Sequence, residues 1–237
     1  MQASSRGRRR AGWKDVMLGD GKRWPGRTGL RGNGRKEARS GKDQGVVTGF
    51  RGATAEAFTV HGYDRLAEEY GVELVDLNDA PLVRRALPGG RVSPHIFLPA
   101  LLWENFVISA AVLKAHSLAT VPLTMKNMVG CAPPGHYQQG GYWRKGAFHA
   151  ELDEAVADLN RYRTPDLCLI DAAIGMTGNH LNGRLCDPPV GKIVAGTDPV
   201  AVDAAGAALL GIHWRDVGHL RLTHGELGAA EAGAAAV

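Results

Sequence analysis

The feature that most constrains this chain is the run Phe106–Leu113, eight residues without a charge, closed abruptly by Lys114, Ala115 and His116. A short apolar run bounded by polar residues suits a strand buried on both faces, and such strands belong to α/β sheets. Four apolar runs end in polar groups at the same relative place: Asp76 and Asn78, Lys114 and His116, Asp171, and Asp198. If the strands are parallel neighbours, these side chains share the C-terminal edge of one sheet, where open α/β sheets build their sites.

The rest of the pattern is consistent with that class. Expected strands are Val46–Phe50, Val72–Leu77, Arg91–Leu98, Asp166–Ile170 and Lys192–Ala195. Expected helices are 54–70, broken at Gly62, then His149–Tyr162, Thr197–Leu210 and Trp214–Leu227, with one or two helical turns within Pro122–Val129. Asp198 followed by Pro199, with Gly211 beyond the last apolar residue, is a strong start and stop signature. Residues 131–147 and 173–190 are expected to be long loops, and such loops in compact domains usually serve function or move. The expected architecture is a three-layer-like α/β domain with a parallel or mixed sheet. The domain reading is a basic leader at 1–45, one α/β domain at 46–228 and a frayed Ala/Gly tail at 229–237.

Charge separates the leader from the domain. Residues 1–50 hold 13 of the 28 Lys and Arg but only 4 of the 24 Asp and Glu, so the remainder carries a net charge of −5. The leader lacks a hydrophobic period and is expected to be a disordered, solvated tail, or a stretch upstream of the true start. Nucleic-acid binding is confined to that leader, because the domain itself is acidic. No apolar run is long enough to span a bilayer and no h-region follows the basic start, so neither a membrane partner nor secretion is expected. Three widely spaced cysteines, Cys131, Cys168 and Cys186, argue for a reducing cytoplasm. No C-x-x-C pair is present, so no iron–sulfur cluster motif is expected. Neither the phosphate-binding loop nor the dinucleotide fingerprint occurs, so ATP and NAD are unsupported. Nothing in the sequence signals an oligomeric state.

The candidate chemistry follows from residue types. Lys114 and Lys126 would hold a carboxylate or phosphate of a small anionic molecule, with Asn127 beside them. His116 or His149 would transfer a proton. His149 opens the expected helix with Asp153 one turn later, and near a helix N-terminus a neutral imidazole is favoured. Asp171, Asp198 or Asp203 would orient an imidazole or hold a divalent cation. Asp198 also suits a plain helix cap, and Asp203 lies on a small apolar face where a buried carboxylate needs partners. His180 and Cys186 in the 173–190 loop would be the metal ligands if a divalent metal binds, although their spacing matches no ligand motif.

Leu113-Lys-Ala-His116, Lys126-Asn-Met-Val-Gly130, His149 followed by Asp158-Leu-Asn160, Asp171-Ala-Ala-Ile-Gly-Met176 and Asp198-Pro-Val-Ala-Val-Asp203 occur in that order. Together they resemble domain-of-unknown-function family 362, over roughly residues 46–228. Some members carry a ferredoxin-like iron–sulfur module, which implies redox metabolism for those members; this chain has no such motif. The family's usual opening strand and Lys-Pro-Asn segment have no counterpart in residues 1–45, so the N-terminal unit is expected to be missing or replaced. Asn179-His180-Leu181 stands where the family often has Gly-Pro, which would bring His180 toward the pocket. The resemblance assigns no reaction. The alternatives to an enzyme are a metal- or cluster-related accessory module and an inactive truncated copy.

Overall fold

The computed structural model describes residues 15–19, 53–92, 94–137, 146–231 and 235–236. The described elements begin with a strand, β1 (Asp15–Gly19), and a helix pair, α1 (Ala53–His61) and α2 (Tyr63–Tyr70). Gly62 breaks that pair at φ +77° and Gly71 ends it at φ +63°, a backbone region that glycine enters without Cβ strain. A separate antiparallel hairpin follows, β2 (Leu82–Ala86) with β3 (His95–Pro99), then the short α3 (Leu101–Glu104). The apolar run forms β4 (Phe106–Lys114). After it come α4 (Asn127–Cys131), α5 (Pro134–Tyr137) and α6 (Leu152–Tyr162). The chain then forms β5 (Leu167–Thr177), β6 (Arg184–Leu185), β7 (Lys192–Gly196), α7 (Pro199–Leu209), α8 (Gly218–Thr223) and β8 (Ala235–Ala236).

The main sheet runs β1-β4-β5-β7-β8, with β6 on the far end of β5. β1, β4 and β5 are parallel, whereas β7 runs antiparallel to β5 and β8 antiparallel to β7. The fold is therefore α/β with a mixed sheet. Alternation along β4 buries Val107, Ser109, Ala111 and Leu113 on one face. Register places Cys168, Ile170 and Val194 on the same face. α7 packs there, so closely that a Cβ on Gly206 would meet Leu123 Cδ1 at 2.6 Å and Ile170 Cδ1 at 2.7 Å. α4 packs on β1 and β4, α6 packs on α4 and α8, and α8 on α7. Among the described residues, no helix is long and apolar enough to cross a membrane.

Several expectations change. Val72–Leu77 alternates like a strand but joins no sheet among the described residues; its Asp76 accepts Asn78 N–H at 2.9 Å. The strand expected at Arg91–Leu98 occupies His95–Pro99. β5 continues six residues past Asp171, so the expected loop 173–190 begins as strand and includes β6. The helix expected from His149 starts at Leu152. The helix expected over Trp214–Leu227 is a 3₁₀ turn, Trp214–Asp216, followed by α8. Within the expected leader, Asp15–Gly19 pairs with Phe106–Ala110 as β1. The expected strand Val46–Phe50 lies outside the described residues.

Candidate functional site

At the C-terminal end of β4 the register with β5 breaks. Val112 aligns with Asp171 but Lys114 aligns with Met176, so β4 advances two residues while β5 advances five. The slack is a bulge, the device by which sheets re-aim side chains beside functional sites. Gly175 takes φ +84° within it, and a Cβ there would meet the Cys186 sulfur at 2.9 Å. Backbone bonds from Cys186, Val190 and Gly191 to Gly175, Ile174 and Ala173 hold the bulge in place.

Lys114 ends β4 in this setting, only 6% exposed. Burial first, and the neighbouring charge of Lys126 second, pull its ammonium down from 10.5 to about 7. Both effects disfavour the charged form and bring the amine's titration into the physiological range. Lys126 is placed by a polar scaffold. Asp203, fully buried on α7, accepts from the Thr124 N–H at 2.9 Å, the Thr124 hydroxyl, and the Met125 N–H at 3.0 Å. Asn127 donates to Ser109 Oγ at 3.1 Å and to the Ala110 carbonyl at 2.9 Å, and Ser109 donates to the Thr124 carbonyl. Asn160 of α6 donates to the Met125 carbonyl at 2.9 Å. Segment 124–127 is thus pinned from strand, α6 and α7, and it delivers Lys126 toward Lys114. Burial raises the Asp203 carboxyl above the usual range even with these donors around it.

His116 follows two residues after Lys114. Its Nδ1 accepts from the backbone N–H of Leu118 at 2.9 Å and of Ala119 at 3.2 Å. An accepting Nδ1 puts the neutral ring's proton on Nε2. The loop closes with His116 N–H on the Thr120 carbonyl, and Thr120 adopts φ +56°. A β-branched residue at positive φ is strained, and such strain persists only where the surroundings impose it. The His180 ring stacks on His116, centroids 3.9 Å apart and planes within 5°. A cavity of about 330 Å³ lies between Ala115, His116 and Thr120, Thr177 of β5, and Leu210 and Ile212 after α7.

The structure thus stacks His180 on His116 and sets Lys126 within electrostatic reach of Lys114, two residues before His116. Asp171 belongs to the same end: it pairs with Val112 and shares its face, roughly 8 Å from Lys114 between Cα atoms by strand geometry. Its Oδ1 accepts the Ala173 N–H at 2.9 Å, which helps shape the bulge. Asp198 does not join them. Because β7 is antiparallel, Gly196 aligns with Cys168 near the start of β5, and Asp198 lies at the opposite edge, roughly 20 Å or more from Lys114. There it caps α7, accepting from Ala201 N–H at 2.8 Å, and ties down the C-terminal segment through Ala229 N–H at 2.8 Å. Asp203 and Asn127 are spent inside the scaffold described above. His149 lies in the turn before α6, beside Phe148, whose ring packs on Tyr137. Asp153 turns instead to His219, meeting its ring Nδ1 at 3.0 Å. Cys186 packs against the Gly175 bulge. Among the described residues, no three His, Cys, Asp or Glu side chains gather as a metal set.

Two features escaped the sequence. Thr124 anchors Asp203 from 79 residues away, and His219 pairs with Asp153 across 66 residues. Only pairing in space reveals either, although a buried Asp203 demanded donors of some kind. A larger hollow of about 680 Å³ sits at the far edge between Trp103, Arg163, Asp166 and Thr197. Its cations are used internally: Arg161 binds Asp158 and Glu226, and Arg163 binds Asp166 and the Leu102 carbonyl. That leaves the Lys114 end as the better candidate.

The sequence profile of the family described as Domain of unknown function (DUF362) matches residues 30–208. The chain belongs to this family. The DUF362 span contains Lys114, His116, Lys126, Asp171 and His180. A second similarity is local. The chain is 51% identical over 51 residues to the ATP-dependent protease subunit HslV of Bartonella quintana (strain Toulouse), covering 22% of this chain and 26% of that protein. It is 44% identical over 69 residues to the HslV of Rhizorhabdus wittichii, covering 28% of this chain and 36% of that protein. The chain therefore spans about a quarter to a third of the length of these curated relatives. No solved structure matches the chain.

Proposed function

We propose that this DUF362 protein is an enzyme that binds a small anionic molecule at the C-terminal end of β4, between Lys114 and Lys126. The observation that carries this reading is the burial of Lys114 next to a second cation. Two lysines held together repel, and a folded chain tolerates that arrangement when a ligand offsets it. A carboxylate or phosphate offsets like charges, and its hydrogen bonds to ammonium groups are strong because both partners are ionised. His116, with its proton on Nε2, presents a donor beside the anion, and His180 holds the ring plane by stacking. Asp171 shapes the β5 bulge that pairs beside Lys114. Cys131 and Cys168 are buried cysteines outside any disulfide, which suits a cytoplasmic setting.

The reading is tested by calorimetric titration with inorganic phosphate at pH 7 in two buffers of different ionisation enthalpy. Binding restores the proton to Lys114, so proton uptake is expected. Lys114→Met and Lys126→Met are each expected to abolish binding. No phosphate binding, or binding unchanged in both variants, overturns the reading.

A further inference from the structure

The cavity of about 330 Å³ beside His116 is lined by neither Lys114 nor Lys126, and no Arg, Asp or Glu lines it either. A charged ligand entering there would leave water without meeting an opposite charge, so the walls favour a neutral occupant. Ala115, Leu210 and Ile212 give one apolar side. The polar side is threonine. Thr177 donates its hydroxyl proton to the Arg184 carbonyl at 3.2 Å, so what it offers a ligand is an oxygen lone pair. Thr120 carries a hydroxyl that can donate. It stands at φ +56°, where glycine fits without strain and a β-branched residue does not. Strain held in the wall of a cavity points to a use for the side chain that causes it. The His116 ring adds a flat surface, its orientation fixed by the Leu118 and Ala119 amides on Nδ1 and by the stacked His180 ring.

We propose that this cavity binds a small neutral aliphatic amide. Its carbonyl accepts from the Thr120 hydroxyl, its N–H donates to the Thr177 oxygen, and its alkyl group lies against Leu210 and Ile212. An amide carries an acceptor and a donor side by side, which is what two threonines of opposite role ask for. A carboxylate has no N–H to give, an ammonium has no acceptor, and each brings a charge that the walls do not answer. A plain hydrocarbon would desolvate both threonine oxygens and return no hydrogen bond. The volume sits near the lower end of small-molecule sites, so the alkyl group is a short chain or a single ring. This site goes beyond the anion reading and does not depend on it.

The test is methyl NMR on the full chain at pH 7 with probes of one shape and different charge: cyclohexanecarboxamide, cyclohexanecarboxylate and cyclohexylmethylammonium. The amide is expected to saturate and to shift the Leu210 and Ile212 methyl signals, with both ions binding at least about tenfold more weakly. Thr120→Gly relieves the strain at φ +56° and removes the hydroxyl, and should weaken amide binding about fivefold while the protein stays folded. Thr177→Val keeps the shape and removes the oxygen, and should weaken it to a similar degree. Inorganic phosphate should leave the bound amide in place. Equal binding of amide and carboxylate, shifts confined to other methyl groups, displacement by phosphate, or affinity unchanged in both variants overturns the proposal. If phosphate binds the protein and the amide does not, the amide site alone fails. If the amide binds and phosphate does not, the amide site stands and the anion reading alone fails.

Discussion

Replacing Lys114 by Met is expected to stabilise the fold, and the size of the effect follows from the titration of the amine. The group falls from 10.5 to about 7 in the folded protein. At pH 6 both folded and unfolded chains carry the proton, and the folded state bears the full penalty, at most about 5 kcal/mol at 1.36 kcal/mol per unit. Between 7 and 10.5 the unfolded chain binds more protons than the folded one. Wild-type stability therefore rises with pH there, by about 1.4 kcal/mol per unit from this group. Met keeps the side-chain volume and removes the charge, so Lys114→Met should gain several kcal/mol at pH 6 and lose this slope. The clean window is pH 7 to 8.5. Above it, Cys168 and Tyr162, each pushed up to about 12 chiefly by burial, begin to charge in the unfolded chain and pull stability down. Urea unfolding of both proteins at pH 6, 7, 8 and 8.5 supplies the difference directly. A Met variant less stable than wild type at pH 6, or a difference that stays constant across the window, refutes the assignment of a buried amine that titrates near 7.

Other consequences are checked with simpler assays. Asp203→Ala leaves the Thr124 and Met125 N–H groups buried without an acceptor, and about 3–5 kcal/mol of stability should be lost in urea unfolding. Gly206→Ala drives a methyl into Leu123 and Ile170, so a loss of about 1–3 kcal/mol is expected despite the better helix propensity of Ala; a stabilised variant contradicts the packing of α7. Native labelling by a thiol reagent at pH 7.5 should modify Cys186 first, since Cys131 and Cys168 are buried and burial pushes the Cys168 thiol up to about 12. Burial pushes the Asp153 carboxyl up, but the His219 ring and amide, helped by Arg221, outweigh it and hold the group below the usual carboxylate range. Its contribution is present above the unfolded value and is lost as pH falls through the folded one, so His219→Ala should flatten the acid limb of a stability–pH curve.

Local chemistry made part of this fold legible. α7 was readable because Asp198, Pro199 and Gly211 each act within a few residues: the carboxylate caps, the ring presets φ, and Gly211 takes φ +73°. β4 was readable because its burial is written as a continuous apolar run. Strand direction was not legible, since an antiparallel β7 has the same local sequence signals as a parallel one. That one unknown moved Asp198 to the far edge and dissolved the four-residue cluster that a parallel sheet would have built. The length of β5 was hidden for a similar reason: Asp171 looks like a strand exit, yet Gly175 allows a bulge and pairing resumes at Met176. The approach of Lys126 to Lys114 was anticipated as shared ligand binding. Its physical cause, the grip of Asp203 and Asn127 on segment 124–127, lies in long-range hydrogen bonds that no spacing rule records.

The most direct test is an NMR titration of the Lys114 side chain, assigned by its loss in Lys114→Met and followed through the ε-carbon shift from pH 5 to 11, with and without inorganic phosphate. A midpoint near 7 that moves upward when phosphate is added is the expected result. A midpoint near 10, unaffected by phosphate, would show that the amine is an ordinary solvated lysine and that the end of β4 is not the site.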